Sequence, residues 1–401
     1  MSRNRLYPTP AEETGLERHC SDARFVWNLA VEQQALFRVA GRLSPPPGSA
    51  ERYRQLTAAR ADNAWLAEGS VTVQQQALRD FDQAMSNYFN GSHRRPTWRR
   101  NGRNDGFRIV AVKPEHVRRL NRRWAEVKIP KIGWVRFRLS GPMPTDFKSF
   151  RVTHDRAGRW HISFPRVPAP IPGPGTGEIA GVDRGVVYAA ACSDGSFYDF
   201  DASALDRQIR RLQRRLAKAK RGSNRRHALR SRLGRLSARR ADKRKDFIEQ
   251  TTTNIARAFD VIKLEDLNVK NMTATAKGTV ETPGRNVSAK AGLNRAILDK
   301  AWGLFATRLE YKASGRVVYV PAAYTSQRCS KCGFTGRENR ESQAFFRCQA
   351  CNHSANADVN AAVNIRDTAA PCPTAGHAVA AREGFLVLDT PTNREPQHAS
   401  A

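Results

Sequence analysis

Two cysteine pairs, Cys329-Ser-Lys-Cys332 and Cys348-Gln-Ala-Cys351, flank the fifteen residues 333–347. No other feature restricts the folding of this chain as tightly. Two CxxC knuckles at this spacing each offer two thiolates to a single tetrahedral cation, the pattern of a zinc ribbon. Gly333 and Asn352 follow the second cysteine of each pair, where the backbone has to turn sharply. Four thiolates close the coordination shell, so the implied Zn²⁺ is a single structural ion and His353 reads as a surface residue. The chain's seven cysteines would also make an odd disulfide set.

The charge points outward, to a partner. Lys and Arg number 68 against 37 Asp and Glu, a net charge of +31 with pI near 10.8. Such an excess must lie on the surface, because unpaired charges are almost never buried. Solubility needs far less charge of one sign, and a polyanion is the better explanation. No run of eighteen apolar residues is present to span a bilayer, and Met1 to Pro10 lacks the apolar stretch of a signal peptide. Both readings favour an intracellular, cytoplasmic protein.

Along the chain the hydrophobic period changes twice. From about Ser21 to Asn90 it is helical, with Phe25, Val26, Leu29 and Leu36, then Leu78, Phe81, Met85 and Phe89. A basic loop, Arg94 to Arg103, holds Pro96 and Trp98. From Phe107 to Val167 the period is two, with Asp155-Arg-Ala-Gly158 as a hairpin turn, predicting a small antiparallel barrel or sheet with a basic face. Pro168 to Gly177 is dense in Pro and Gly and reads as an interdomain linker. Leu205 to Phe247 reads as a basic helical pair with stripes at Leu205, Ile209, Leu212, Leu216 and at Leu229, Leu233, Leu236, broken at Gly222-Ser223-Asn224. The near-uniform sign of its other charges favours phosphate contact over a merely solvated face.

Three acids stand where metal chemistry needs them. Asp183 ends the apolar strand Ile179 to Val182, Glu265 ends Val261-Ile-Lys-Leu264, and Asp358 lies in a helical stretch whose Val359, Ala362 and Val363 are expected to face a core. Together, from two strand ends and a helix, they predict a two-metal phosphoryl-transfer site. Carboxylates suit Mg²⁺, a hard cation that favours oxygen. Asp194, Asp199, Asp201, Asp260 and Asp266 are read as turn or surface acids.

Gly181-Val-Asp-Arg-Gly185, Lys263-Leu-Glu-Asp-Leu267, Tyr324-Thr-Ser-Gln-Arg-Cys-Ser-Lys-Cys332-Gly and Asp358-Val-Asn-Ala-Ala-Val-Asn-Ile365 resemble the RuvC motifs and zinc ribbon of the TnpB family. These insertion-sequence proteins, long labelled accessory transposases, are relatives of the type V CRISPR effectors. The likeness runs over about residues 5 to 366. It implies an α/β RNase H-like RuvC nuclease domain (178–323 and 356–366) with an inserted zinc ribbon (324–355). Before it the resemblance implies a wedge-type β-barrel (1–20 and 101–167) interrupted by a helical recognition domain (21–100), with the linker 168–177 between; the tail 367–401, rich in Ala, Pro and Thr, reads from its composition as disordered. It further implies a guide RNA that selects double-stranded DNA by base pairing, a short motif read beside the target, and cleavage of both strands. Asp183, Glu265 and Asp358 match the three catalytic acids, which would hold two Mg²⁺ ions, and Cys329, Cys332, Cys348 and Cys351 match the zinc ligands. Many members carry an acidic-basic pair where this chain has Asn356-Ala357.

Three other readings compete with the guided endonuclease. A miniature type V effector shares its chemistry and differs only in genetic neighbourhood. A guided repressor that binds without cutting typically lacks one of the acids, and all three are present. Strand transfer as a transposase is disfavoured, because the family looks dispensable for it.

Overall fold

The computed structural model describes residues 2–39, 46–102, 105–143, 145–165, 169–279 and 281–369. All but the first three residues of the expected tail therefore lie outside the described residues.

The first half builds one sheet and packs helices on it. Strand β1 (Ser2–Leu6) leads into helices α1 (Pro10–Val39), α2 (Ser49–Asp62), α3 (Ala64–Ala67) and α4 (Val71–Phe89). Strands β2 (Asp105–Val110), β3 (Val117–Arg119), β4 (Trp124–Ile129), β5 (Gly133–Arg138), β6 (Ser149–His154) and β7 (Trp160–Phe164) follow. All neighbours are antiparallel, in the order β2-β6-β7-β1-β5-β4-β3, so β1 is an inner strand despite coming first in the chain. The ladder ends on β2 and β3, and among the described residues it is an open sheet, not a closed barrel. Its inward residues, including Phe107, Val127, Phe137, Phe150, Ile162 and Phe164, share one core with Leu16, Val26, Ala77 and Phe81 of α1 and α4. The alternation in β4 puts Glu126 on the face opposite Ala125, Val127 and Ile129, yet it is buried there, clamped by Arg118 at 2.8 Å and Arg136 at 3.1 Å from the flanking strands. The basic face is thus built around a buried acid.

Two expectations about α1 change. It starts at Pro10, not near Ser21. Thr9 and Glu12 form a capping box, the Thr9 amide donating to Glu12 Oε2 at 2.9 Å, and proline suits the first helical position. The apolar stripe also divides: Val26 goes inward with Trp27 and Ala30, while Phe25, Leu29 and Leu36 remain exposed.

The second half holds a mixed five-stranded sheet. It comprises β8 (Ile179–Asp183), β9 (Ala190–Cys192), β10 (Phe197–Tyr198), helices α5 (Ser203–Lys218) and α6 (Asn224–Ala258), and β11 (Val261–Glu265). Then come α7 (Val269–Met272), α8 (Val287–Lys300), α9 (Trp302–Lys312) and β12 (Val317–Val320). A small hairpin, β13 (Phe345–Arg347) and β14 (Ser354–Asn356), runs straight into α10 (Ala357–Asp367). The sheet order is β10-β9-β8-β11-β12, with β8, β11 and β12 parallel and β9 and β10 antiparallel. Both predicted stripes of the basic pair face inward, with Leu205, Leu212 and Leu229 buried, and Ser223 caps α6 by accepting from the Arg226 amide at 3.2 Å. Most of the arginines between them are exposed.

The Pro/Gly-rich segment is tied down from residue 169 onward. Ile171 donates its amide to the Lys312 carbonyl at 2.7 Å, and its own carbonyl accepts from Arg316 at 2.7 Å. Asp260 accepts from the amides of Gly175 and Gly177 at 2.9 and 2.6 Å. Among the described residues no helix is long and apolar enough to cross a membrane.

Candidate active site

Asp183 closes β8 and Glu265 closes β11. The parallel register pairs Leu264 with Val182, so the two acids stand side by side at the same end of the sheet. Helix α10 lies against β8 and delivers the third. A Cβ on Gly181 would meet the Ala362 carbonyl oxygen at 1.9 Å and the Arg366 amide nitrogen at 2.4 Å, so only glycine lets the helix lie this close. Lys263 fixes the far end of α10 by donating to the carbonyls of Arg366 and Thr368 at 2.6 and 2.8 Å. Asn356 caps the near end, its Oδ1 accepting from the amides of Asp358 and Val359 at 3.0 and 3.3 Å.

Each acid has its own support. Glu265 is buried, and its Oε1 accepts from the Thr325 hydroxyl at 2.5 Å. Arg184, also buried, donates to the Glu265 carbonyl. Asp358 is buried and pairs with Arg340 at 3.1 Å. Burial first, then the charges of Glu265 and Asp358, push the Asp183 carboxyl up to about 7. Burial also raises Glu265, against the Thr325 hydrogen bond and the charge of Arg184. Three carboxylates crowded this way are poised for a cation, which would relieve their repulsion.

Four of the five other acids are engaged elsewhere through their carboxylates. Asp194 holds its turn through the Ser196 amide at 2.9 Å, Asp199 pairs with Lys300, and Asp201 accepts from the Ser203 amide at 2.8 Å at the start of α5. Asp260 anchors the Pro/Gly-rich segment, and Asp266 follows Glu265 with its amide on the Val320 carbonyl at 2.8 Å.

The four cysteines converge, with their sulfurs all within 4.8 Å of one another. Their two knuckles share one geometry: the Gly333 amide donates to the Cys329 carbonyl at 2.9 Å, and the Asn352 amide to the Cys348 carbonyl at 3.0 Å. Gly333 and Asn352 have φ of 79° and 54°, the left-handed turns the spacing required. Burial opposes ionisation of Cys348, but the Cys351 and Ala350 amides outweigh it and bring the thiol down to about 7. Buried Asn339 joins the knuckles, donating to the Gln327 carbonyl and accepting from the Gln349 amide, both at 2.9 Å.

The cysteine cluster is coupled to the acids. Cys329, Cys348 and Phe346 pack against Ala357, the residue before Asp358. Asn360 Oδ1 accepts from the Ser330 amide at 3.0 Å, and Asn364 donates to the Thr325 and Arg328 carbonyls at 2.9 and 2.7 Å. Thr325 in turn holds Glu265. Asn356, Asn360 and Asn364 repeat every four residues, a helical periodicity legible in the sequence and overlooked by a reading that sought only apolar faces. Of the residues expected to face a core, Ala362 is buried, together with Ala357, Ala361 and Ile365, whereas Val359 and Val363 are only half-buried. Arg340, which touches an acid from eighteen residues away, left no local signal.

Three family models match the chain: "Helix-turn-helix domain" over residues 2–35, "Probable transposase" over 161–276 and "Cas12f1-like, TNB domain" over 302–365. The first of these regions folds here as a strand and part of one unbroken helix. The chain is 35% identical over 98% of its length to "Putative RNA-guided DNA endonuclease InsQ" of Escherichia coli, covering 96% of that protein. It is 28% identical over 99% of its length to "Putative RNA-guided DNA endonuclease" of Streptomyces pristinaespiralis, again covering 96%. Its fold is similar to that of Cas12f1 in a cryo-EM complex with sgRNA and target DNA, at TM-score 0.52 and 16% identity, covering 89% of this chain and 82% of that one. With a relative this similar along nearly the whole of both sequences, the chain belongs to the TnpB family.

Proposed function

We propose that this protein is an RNA-guided DNA endonuclease, encoded by a transposable element, that cuts double-stranded DNA beside a short motif. The observation carrying this reading is the convergence of Asp183, Glu265 and Asp358 at one sheet end in a chain of net charge +31. The order of strands β10-β9-β8-β11-β12, three antiparallel and then parallel, supports an RNase H-like RuvC domain over 178–323 and 356–366. The sulfur cluster supports a zinc ribbon over 324–355. The sheet and helices before residue 168 are assigned to the wedge (1–20 and 101–167) and recognition (21–100) parts.

The carboxylates of Asp183, Glu265 and Asp358 fit two Mg²⁺ ions, since all are hard oxygen donors and their mutual repulsion calls for positive charge. Bound there, Mg²⁺ supplies activation of a water nucleophile and neutralisation of charge on the departing oxygen. The chain's own residues set the stage. Thr325 orients the Glu265 carboxylate, Arg184 fixes the strand end beneath it, and Asn356 sets the angle at which α10 presents Asp358. Arg340 stands at Asp358, where it can meet a phosphate oxygen as well as the acid. The exposed arginines of α5 and α6 supply a surface for the phosphate backbone.

The test is to express the chain with its native flanking DNA, sequence the RNA that purifies with it, and challenge the complex with matching DNA and Mg²⁺. One abundant RNA with a constant scaffold and a variable end, and cleavage beside a fixed motif, is the expected outcome. Intact DNA with guide, motif and Mg²⁺ all present would sink the reading.

A further inference from the structure

The outward half of the α1 stripe lines a groove of about 670 Å³ that the nuclease chemistry does not use. Its apolar walls are Phe25, Leu29, Trp65 and Trp98, between 43% and 57% exposed. They are held in place. Phe25 and Trp65 meet edge to face at 5.0 Å, and Arg18 donates to the Trp65 carbonyl at 3.2 Å. Trp98 rides on a strap locked to α1: the Trp27 indole donates to the Thr97 carbonyl at 2.9 Å, and Asn28 exchanges two hydrogen bonds with the Arg99 backbone at 3.0 and 2.7 Å. The Arg99 guanidinium lies 3.6 Å over the Trp27 ring. Backbone this firmly fixed on both sides of Trp98 displays the ring to solvent.

Charge indicates what such rings are displayed for. Arg94, Arg95 and Arg100 flank Trp98 on the strap, whereas the two arginines of the groove wall, Arg18 and Arg24, are paired with Glu68 and Asp105. Fixed aromatic faces interleaved with arginines suit a base stacked on a ring, its phosphates meeting the guanidinium groups. The Glu32 carboxylate, exposed on the groove wall, can accept from an exocyclic amino group. We infer that this groove binds an unpaired nucleobase of the guide RNA, which rests on the guided reading proposed above. RNA is the occupant because a folded guide carries unstacked loop and bulge bases. Target DNA arrives paired, and a base held in a duplex offers no free face to these rings.

The full chain is irradiated, without added Mg²⁺, on a short unstructured oligoribonucleotide carrying 5-iodouridine. The matching DNA and the same RNA annealed to its complement are run in parallel. Crosslinks mapping to Phe25, Trp65 or Trp98 with single-stranded RNA, and absent with the duplex, are expected. Trp65→Ala with Trp98→Ala should weaken single-stranded RNA binding by about tenfold to a hundredfold, the loss of one or two stacked bases. That loss should persist at high salt, and Phe at both positions should restore most of the affinity. Both tryptophans are substantially exposed, and an unchanged melting temperature confirms that the Ala variant folds. Crosslinks only elsewhere, equal capture of the DNA, or loss of a self-associated species in the Ala variant would each overturn the assignment. If RNA binds and guided cleavage proceeds while the Ala variant behaves as wild type, the groove assignment alone fails. If the chain binds no RNA at all, the guided reading fails with it.

Discussion

The four cysteines and the three acids each bring like side chains together, yet the chain builds the two groups in opposite ways. All four sulfurs come from residues 329–351, and each knuckle is closed by its own backbone hydrogen bonds. The three carboxylates span residues 183–358 and meet only after two strands have paired and a helix has docked on Gly181. The sulfur site is therefore local and can assist folding, whereas the acidic site is a product of folding and stores repulsion. The two are joined where β14 runs into α10, with Cys348 and Ala357 in one small core. A residue removed from one cluster should damage chemistry, and from the other, stability first.

The largest effect should come from Asp183→Ala. Under the proposed Mg²⁺ site, the loss of this carboxylate forfeits several kcal/mol of transition-state stabilisation, so cleavage should fall on the order of a thousandfold or more. RNA and target binding should be retained, because the basic surface is untouched. Single-turnover cleavage and a filter-binding assay on the same preparation separate the two. Cleavage at the native rate would remove Asp183 from the site.

Next in size is Cys348→Ser. Under the proposed zinc ribbon, metal binding contributes directly to folding, so the variant should lose zinc and melt at a lower temperature, with the stability loss on the order of several kcal/mol. Because the hairpin feeds α10, cleavage should fall as well, through Asp358 and not through RNA binding. Zinc content by atomic absorption, calorimetry and cleavage rate test the three parts. Full cleavage after loss of zinc would show the two clusters to be independent and break the comparison.

How much of each was legible follows from the same difference. The ribbon spacing forecast both left-handed turns, Gly333 and Asn352, because coordination and turn chemistry act over a few residues. Asp183 and Glu265 could be placed at strand ends from short apolar runs. What held them could not be read: Thr325 and Arg340 reach the acids across the fold, and their partners are fixed by tertiary packing. Phe25 and Leu29 show the limit of periodicity. They keep helical spacing with each other, yet lie outside the core, since an apolar stripe does not say which neighbour covers it. The start of α1 at Pro10 is encoded in Thr9-Pro10-Ala-Glu12, a capping signal that apolar periodicity, first visible at Phe25, does not report.

The smallest effect concerns stability at the acidic site. Asp183 stands at about 7 when folded, against 3.8 as an ordinary aspartate. Below pH 4 it is protonated in both states and has no influence. Between pH 4 and 7 the unfolded chain releases the proton first, so folding stability drains away as pH rises, and the loss is complete above pH 7. Asp183→Asn removes this penalty. In protein that keeps its zinc but receives no Mg²⁺, the variant should melt higher than wild type at pH 8, by roughly 1–4 °C, and the gap should close toward pH 4. Added Mg²⁺ should then raise the wild type at pH 8 and leave the variant nearly unmoved, because a ligand stabilises only the folded state that binds it. A variant that melts lower at pH 8 would mean that Asp183 supports the fold as the cysteines do. In that case the division between a cluster that assists folding and one that opposes it would not hold.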